Sequence, residues 1–223
     1  MRRPLQCVLD ITKSAGILRA RDLDGHGIAR QYLVIAKERG LIERRGRGLY
    51  ALAGRPPGEM HLLAEAAIRV PRGVVCLDSA LRLHGLRSGP PGQVWLAIGD
   101  KDRRPTVSEV PLRICRFSVE ALQFGVEVVL IDGVPVRVFS VAKTIADCFK
   151  YRRKIGSDTA VEVLRDALQK RVVTPGKLET AAAVCRVSNV LQPYLALARF
   201  VLGPNVARKS VASAGKSRRE KTA

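Results

Sequence analysis

The segment that most constrains the fold is a helix-like stretch that runs directly into a pair of short strands. Apolar residues recur at helical spacing over residues 28–39, and Gly40 follows in the position typical of a helix end. Residues 41–45 and 49–52 have the composition of strands on either side of the glycine-flanked turn 46–48. The sequence therefore predicts a helix followed by a β-hairpin, as in a winged helix.

The residues before this stretch predict the rest of such a module. Residues 5–12 carry an apolar stripe at i, i+3, i+4 and i+7 that ends before Gly16. A second, shorter helix is expected near residues 20–24, and a tight turn at residues 25–27. We therefore interpret residues 1–55 as a winged helix-turn-helix DNA-binding domain.

The net charge favours a polyanionic partner. The 223 residues include 39 Lys and Arg against 20 Asp and Glu, which gives a formal charge of +19. Such an excess attracts nucleic acid through long-range fields and counterion release. An anionic membrane surface, or a basic protein without a polyanionic partner, are the alternatives on charge alone. Per residue, the basic character is concentrated in residues 1–55 and 204–223.

The predicted third helix has an inner and an outer face. Ile28, Leu33 and Ala36 suit the inner face, and polar residues and one valine suit the outer face. Arginine can pair with guanine, glutamine with adenine, and valine can touch a thymine methyl, while wing arginines suit phosphates or the minor groove. The predicted DNA-contacting residues are Arg30, Gln31, Val34, Lys37, Arg44, Arg45 and Arg47. The alternative interpretation involves no DNA contact: the polar helix face is only solvated, and the hairpin only covers the module.

The rest of the chain predicts an α+β domain over residues 59–203, a small sheet followed by C-terminal helices. The predicted helices and strands come in the following order: helix 59–70, strand 74–76, helix 78–84, and strands 94–98, 112–116, 126–131 and 134–139. Asp132 and Gly133 form a hairpin signal, and Pro135 predicts an edge position for the last strand.

Further helices are marked by their starts. Ser140 and Ser157 are expected N-caps, Thr174 followed by Pro175 is a cap-then-proline start, and a last helix is expected over residues 191–202. The fold class is thus α+β, an N-terminal winged helix-turn-helix followed by a mixed α+β domain.

Glycine and proline mark the expected boundaries. Residues 54–58 have the composition of a linker, and residues 204–223 that of a basic, disordered tail.

The five cysteines are more than 30 residues apart, which disfavours a zinc cluster and indicates free, mostly buried thiols. No apolar run has the length of a membrane span, so we expect a cytoplasmic protein without a membrane partner.

Catalytic, metal and cofactor sites are not predicted. The chain lacks nucleotidyltransferase spacing, a phosphate-binding loop and hydrolase or zinc-protease motifs. Lys143 and Asp147 are spaced as a structural ion pair, and His84 as a partly buried residue at a helix end. A basic run is either a solvated helix end or a second nucleic-acid or toxin contact, and its residues are Lys150, Arg152, Arg153 and Lys154.

Several segments between residues 5 and 202 carry a family resemblance. They are the wing residues 40–44 and 48–50, Ser-Ala-Leu at 79–81 with His-Gly-Leu at 84–86, Val-Trp-Leu at 94–96, Asp-Gly at 132–133, and Val-Ala-Lys-Thr-Ile-Ala-Asp at 141–147. In this order they resemble the AbiEi family, the antitoxin components of type IV toxin–antitoxin systems. Ala29 and Val34 depart from the usual pattern, because those recognition-helix positions are often polar.

The resemblance implies two activities. The winged helix would repress the protein's own operon by binding repeats in double-stranded promoter DNA. The C-terminal domain would counter a nucleotidyltransferase-like toxin encoded next door, with or without direct contact. The alternatives are a winged-helix regulator without a toxin partner and a nucleic-acid-modifying enzyme that uses the winged helix for delivery.

Overall fold

The computed structural model describes residues 4–46, 48–54, 60–88, 92–106 and 110–202. The chain forms two compact units, the first from residues 1–75, 90–116 and 128–138, and the second from residues 76–89, 117–127 and 139 onward. The predicted linker beyond Gly54 and the predicted tail lie outside the described residues. The separation into domains at the linker therefore stays a prediction.

The first unit contains the N-terminal helices and almost all of the strands. Its helices are α1 (Pro4–Ala15), a 3-10 helix (Ala20–His26), α2 (Gln31–Glu38) and α3 (His61–Arg69). The strands are β1 (Leu18–Arg19), β2 (Ile42–Gly46), β3 (Leu49–Leu52), β4 (Val74–Val75), β5 (Val94–Gly99), β6 (Leu112–Phe117), β7 (Val126–Ile131) and β8 (Val134–Phe139).

The second unit is helical. Its helices are α4 (Leu77–Leu83), α5 (Val119–Gln123), α6 (Val141–Lys150), α7 (Arg152–Ile155), α8 (Ser157–Gln169), α9 (Pro175–Cys185) and α10 (Ser188–Leu202). Helices and strands together confirm the predicted α+β class. No helix within the described ranges is long and apolar enough to cross a membrane.

The N-terminal module has its own apolar core, to which helices and wing both contribute. Its fully buried members are Val8, Leu18, Leu23, Leu33, Ala36 and Ile42. The wing strands lie in a sheet of order β1-β3-β2, in which Leu18 pairs with Tyr50 and Ile42 with Leu52. The sequence did not indicate β1, because two residues are too few to show an alternation.

Helix α2 is shorter than predicted at its N-terminal end. It begins at Gln31 instead of residue 28, because the backbone N–H of Ile28 donates to Leu23 O (3.1 Å) and closes the preceding 3-10 helix. The predicted end is confirmed. Gly40 has φ +65°, and the N–H of Leu41 donates to Ala36 O (2.9 Å), which satisfies a carbonyl of the last turn.

The larger sheet has the order β6-β5-β4-β8-β7. Strand β4 is antiparallel to β5, with Val74 opposite Ala97, and parallel to β8, with Val75 opposite Val138. The prediction that Pro135 lies in an edge strand is wrong, since β8 lies between β4 and β7. Proline is tolerated there because the two-residue strand β4 reaches β8 only at Val138 and needs no donor at Pro135.

The β7–β8 turn contacts two other parts of the first unit. The N–H of Ile17, just after α1, donates to Asp132 O (3.4 Å), and a Cβ added to Gly133 would lie 2.6 Å from Ala15 O. Asp132 Oδ2 is 3.0 Å from Nδ1 of the buried His61, whose Nε2 is 3.4 Å from Glu65 Oε1. Glu65 raises the pKa of His61, burial lowers it and Asp132 raises it, with a net upward shift.

The helix starts of the second unit largely follow the predicted chemistry. The Ser140 hydroxyl accepts from the N–H of Lys143, and the Thr174 hydroxyl from that of Lys177, with Pro175 in the first turn. Ser157 is the first helical residue of α8 and not its cap, because Gly156, with φ +99°, occupies that position. The last helix also begins earlier than predicted, at residue 188 instead of 191.

A buried ion pair lies at the centre of the second unit. Lys143 and Asp147 are both 0% exposed, and their Nζ and Oδ2 atoms are 2.5 Å apart. The same ammonium lies 4.3 Å from the ring centre of Phe139 and 4.7 Å from that of Phe117. The predicted structural pair is therefore confirmed. Because it is buried, removing one partner should cost far more stability than removing one partner of a surface pair.

The remaining side-chain predictions concern His84 and the cysteines. His84 follows α4, is half-buried, and its Nε2 is 2.7 Å from Phe139 O. All five cysteines are free thiols, and all but Cys7 are buried, as the sequence predicts. Burial raises the pKa of Cys185 to about 12, so this thiol stays protonated at neutral pH.

Candidate nucleic-acid interface

Helix α2 presents a polar face with one exposed apolar side chain. Leu33 and Ala36 point into the core of the module, which leaves Gln31, Val34 and Lys37 exposed on the other side. Val34 is 54% exposed, so its methyl groups are accessible to a partner. The structure therefore brings these three predicted residues onto one accessible surface, which we call the reading face.

Arg30 lies just before α2, where it is held by an acidic residue. Its Nε donates to Asp24 Oδ1 (3.1 Å) and its Nη2 to Asp24 Oδ2, so both carboxylate oxygens are occupied. The Arg30 hydrogen bond lowers the pKa of Asp24, and Asp24 raises the pKa of Arg30. The guanidinium is exposed but already oriented, so a base contact requires it to exchange or share this partner.

The two described wing arginines differ in exposure and lie where strand β2 is irregular. The register passes from Arg44 opposite Tyr50 to Gly46 opposite Leu49, which makes Arg45 the extra residue of a bulge. Arg44 is exposed, whereas Arg45 is half-buried and its Nη2 pairs with Glu43 Oε1. Arg44 is therefore the more solvent-accessible of the two. Arg47 lies outside the described residues.

Glu38 also belongs to the reading face and is absent from the predicted DNA-contacting residues. It lies seven positions after Gln31, so the two side chains share one side of α2, and both are exposed. A carboxylate repels phosphates, but it can accept a hydrogen bond from the amino group of cytosine. The same helical spacing, applied to acidic as well as basic residues, identifies it from the sequence.

The basic run of the second unit divides into structural and accessible residues. Arg152 Nη1 donates to Phe149 O (2.9 Å) and so caps a carbonyl at the end of α6. Lys150 and Lys154 are exposed and lie 6.0 and 5.4 Å from the ring centre of Tyr151. Arg153 is exposed as well. Three of the four residues predicted as a second contact are thus accessible, and Arg152 is engaged.

Among the residues that the structure describes, no cluster of three or more His, Cys, Asp or Glu side chains could hold a metal ion. Asp147 accepts a hydrogen bond from the Cys185 thiol (3.3 Å), but both groups are buried beside Lys143. Burial makes this arrangement part of the core and keeps it from a substrate.

A family model matches the N-terminal part of the chain. The model of the family described as "Transcriptional regulator, AbiEi antitoxin" matches residues 8–53. This range begins inside α1 and ends just after β3, so it covers nearly the whole winged module and all seven predicted DNA-contacting positions. No curated protein matches the chain.

Proposed function

We propose that the chain is a DNA-binding transcriptional regulator that recognises double-stranded DNA through α2 and the wing. The observation that carries the proposal is the reading face, on which Gln31, Val34 and Lys37 stand exposed on the helix that follows the turn. The family match over residues 8–53 supports the same role. In such modules the second helix of the motif enters the major groove and the wing contacts the backbone.

Footprinting on the chain's own promoter region tests this proposal. The variant Arg30→Ala/Gln31→Ala removes one cation and one amide from the interface, and we expect it to abolish the footprint while the far-UV circular dichroism stays unchanged. Arg165→Ala/Gln169→Ala is the matched control, since it removes the same residue types from an exposed side of α8. A footprint equal to wild type in the first variant, or lost in both variants, would refute the assigned face.

The finer part of the proposal is an antitoxin that represses its own operon. On this view the protein works in the cytoplasm, has no catalytic activity or cofactor, and counters a nucleotidyltransferase-like toxin of a type IV system. The family model that matches residues 8–53 supports this view, because its description names both a transcriptional regulator and an antitoxin. Promoter repeats would be the DNA target, and neutralisation would rest on the residues that follow the winged module.

Co-expression with the product of a toxic neighbouring gene tests the antitoxin role. We expect the full-length protein to restore growth, and Arg30→Ala/Gln31→Ala to restore it equally when both genes are placed under foreign promoters. Failure of both proteins would favour the alternative, a winged-helix regulator without a toxin partner. Rescue by wild type alone would contradict a neutralising activity that is separate from DNA binding.

A further inference from the structure

A cleft in the first unit is lined by arginines that the DNA-binding face does not use. It has a volume of about 590 Å³ and lies between the end of α3 with its following turn and the loop after β5. Among the described residues, the charged groups that line it are Arg69, Arg72, Arg103, Arg104 and Asp102. We call this the arginine cleft.

The register of the sheet explains why these distant residues meet. Strands β4 and β5 are antiparallel with Val74 opposite Ala97. The residues just before β4 therefore lie beside those just after β5, which places Arg72 level with the end of β5 at Gly99. The cleft is thus built where the β4–β5 ladder ends.

Two further arginines hold the walls of the cleft in place through main-chain carbonyls. Arg116 Nη1 donates to the carbonyl oxygens of Gly99 (3.2 Å), Asp100 (2.6 Å) and Asp102 (2.9 Å), which fixes the loop after β5. Arg137 Nη1 donates to Arg72 O (3.0 Å) on the opposite wall. A site whose walls are already ordered loses less entropy when a ligand binds.

Among the described residues that line the cleft, arginines outnumber carboxylates. Among its described lining residues the one carboxylate, Asp102, accepts from the backbone N–H of Gly99 (2.9 Å) and so serves the loop. Within the described chain, the side chains of Arg72, Arg103 and Arg104 have no hydrogen bond or ion pair, and all three are exposed. Three exposed guanidinium groups that pair with no carboxylate in the described part of the chain favour an anion with more than one phosphate, because each guanidinium can donate to two phosphate oxygens.

Apolar surface completes the cleft. Val70 and Ile98 are buried in its floor, and Pro71 and Pro105 contribute to its lining. The volume lies in the range of pockets that enclose small ligands, roughly 300–1,000 Å³. A free polyphosphate would use the arginines alone, whereas a nucleotide would also place its base and sugar against the apolar lining.

We propose that the arginine cleft binds a nucleoside triphosphate, with the phosphates on Arg72, Arg103 and Arg104 and the nucleoside against the apolar floor. The site shares no residue with the reading face, so it is independent of the proposed DNA binding. It gives the protein a second ligand class, small and soluble, beside duplex DNA.

Isothermal titration of the full-length protein with ATP, GTP, CTP, UTP and tripolyphosphate tests the proposal. We expect at least one nucleotide to bind more tightly than tripolyphosphate. The variant Arg72→Ala/Arg103→Ala should weaken that binding about 100-fold, because each charged hydrogen-bonding partner of the phosphates accounts for about tenfold in affinity. The charge-matched control Arg165→Ala/Arg186→Ala, which removes two exposed arginines outside the cleft, should bind like wild type.

Each other outcome overturns the proposal in a different way. Equal binding of tripolyphosphate and nucleotides would show a site for phosphate alone, and equal weakening in both variants would show a general effect of charge. If no nucleotide binds but Arg72→Ala/Arg103→Ala loses operator DNA and the control keeps it, the cleft is a duplex contact. Absence of a footprint with the wild-type protein would refute the DNA proposal and leave the titration unaffected.

Discussion

The buried pair of Lys143 and Asp147 offers the sharpest test of how the second unit is stabilised. Removing one partner of a buried ion pair costs about 3–5 kcal/mol, because a charge is left without compensation in a poorly solvating interior. In Asp147→Leu the remaining ammonium keeps the rings of Phe117 and Phe139 at 4.7 and 4.3 Å. Desolvated cation–π contacts contribute about 2 kcal/mol, so we expect a loss near 3 kcal/mol, at the lower end.

The double variant Lys143→Met/Asp147→Leu should behave differently from either single one. It removes both charges and fills the space with apolar atoms, and such replacements are often neutral or stabilising by about 1–4 kcal/mol. We expect its free energy of unfolding to lie within about 1 kcal/mol of wild type. The coupling in the double-mutant cycle should therefore exceed about 3 kcal/mol.

Urea denaturation followed by circular dichroism measures the three free-energy differences. An exposed pair, Arg165 with Asp166, supplies the control cycle, and its coupling should stay below about 1 kcal/mol. Additive effects in the Lys143–Asp147 cycle, with both single variants near wild type, would refute the assignment of a charged pair in the core.

The pH dependence of Lys143→Met checks the same reasoning independently. Burial raises the pKa of Asp147 above its ordinary value of 3.8, while Lys143 and, more weakly, Cys185 and Lys150 lower it. Without the ammonium the pKa rises further, so the folded state holds a proton that the unfolded state releases. Stability then falls as pH rises from about 3.8 through the raised pKa, and Lys143→Met should be less destabilised near pH 4 than near pH 7.

Two further predictions concern the first unit. Because the carboxylates beside His61 raise its pKa above 6.5, its contribution to stability is present below pH 6.5 and lost as pH rises through the raised value. Urea titrations from pH 5.5 to 8.5 should show this slope in wild type and a flatter one in His61→Gln; equal slopes would contradict it. Gly133→Ala should destabilise more than Gly40→Ala, although both glycines have positive φ, because the Cβ added at residue 133 would lie 2.6 Å from Ala15 O, whereas one added at residue 40 would have no neighbour within 4 Å. The left-handed strain alone costs about 1–2 kcal/mol, and equal melting temperatures of the two variants would refute the contact.

The sequence predicted those features that depend on local pattern. Helical and strand periodicities gave the order of the longer elements, but not the short elements β1, α5 and α7. The hydroxyls of Ser140 and Thr174 gave two helix starts, because capping acts over three residues. The start of α2 was misplaced because a bond from Ile28 back to Leu23 belongs to the preceding 3-10 helix. The spacing of apolar residues indicates a helical segment, but it does not show where a 3-10 helix ends and an α-helix begins.

Features that depend on distant residues could not be predicted from the sequence. The spacing of Lys143 and Asp147 indicates a pair, but its burial depends on Phe117 and Phe139, which come from other segments. Pro135 was misassigned because strand order is set by the pairing of β4, not by the proline itself. The arginine cleft joins residues 69–72 with residues 98–106 through the β4–β5 register, which no local pattern encodes.

The predicted DNA-contacting residues differ in how ready they are for a partner. Arg30 and Arg45 are paired with Asp24 and Glu43, so nearby carboxylates compete with phosphate for them. Exposed ion pairs contribute little to stability, whereas a bidentate contact to guanine is stronger, so Arg30 can exchange Asp24 for a base without loss to the fold. A wrong sequence offers no such exchange and leaves the guanidinium on Asp24. In the DNA-binding role that we propose, the acidic neighbour therefore favours selective over indiscriminate binding, which counters the general attraction to DNA of a chain with a formal charge of +19.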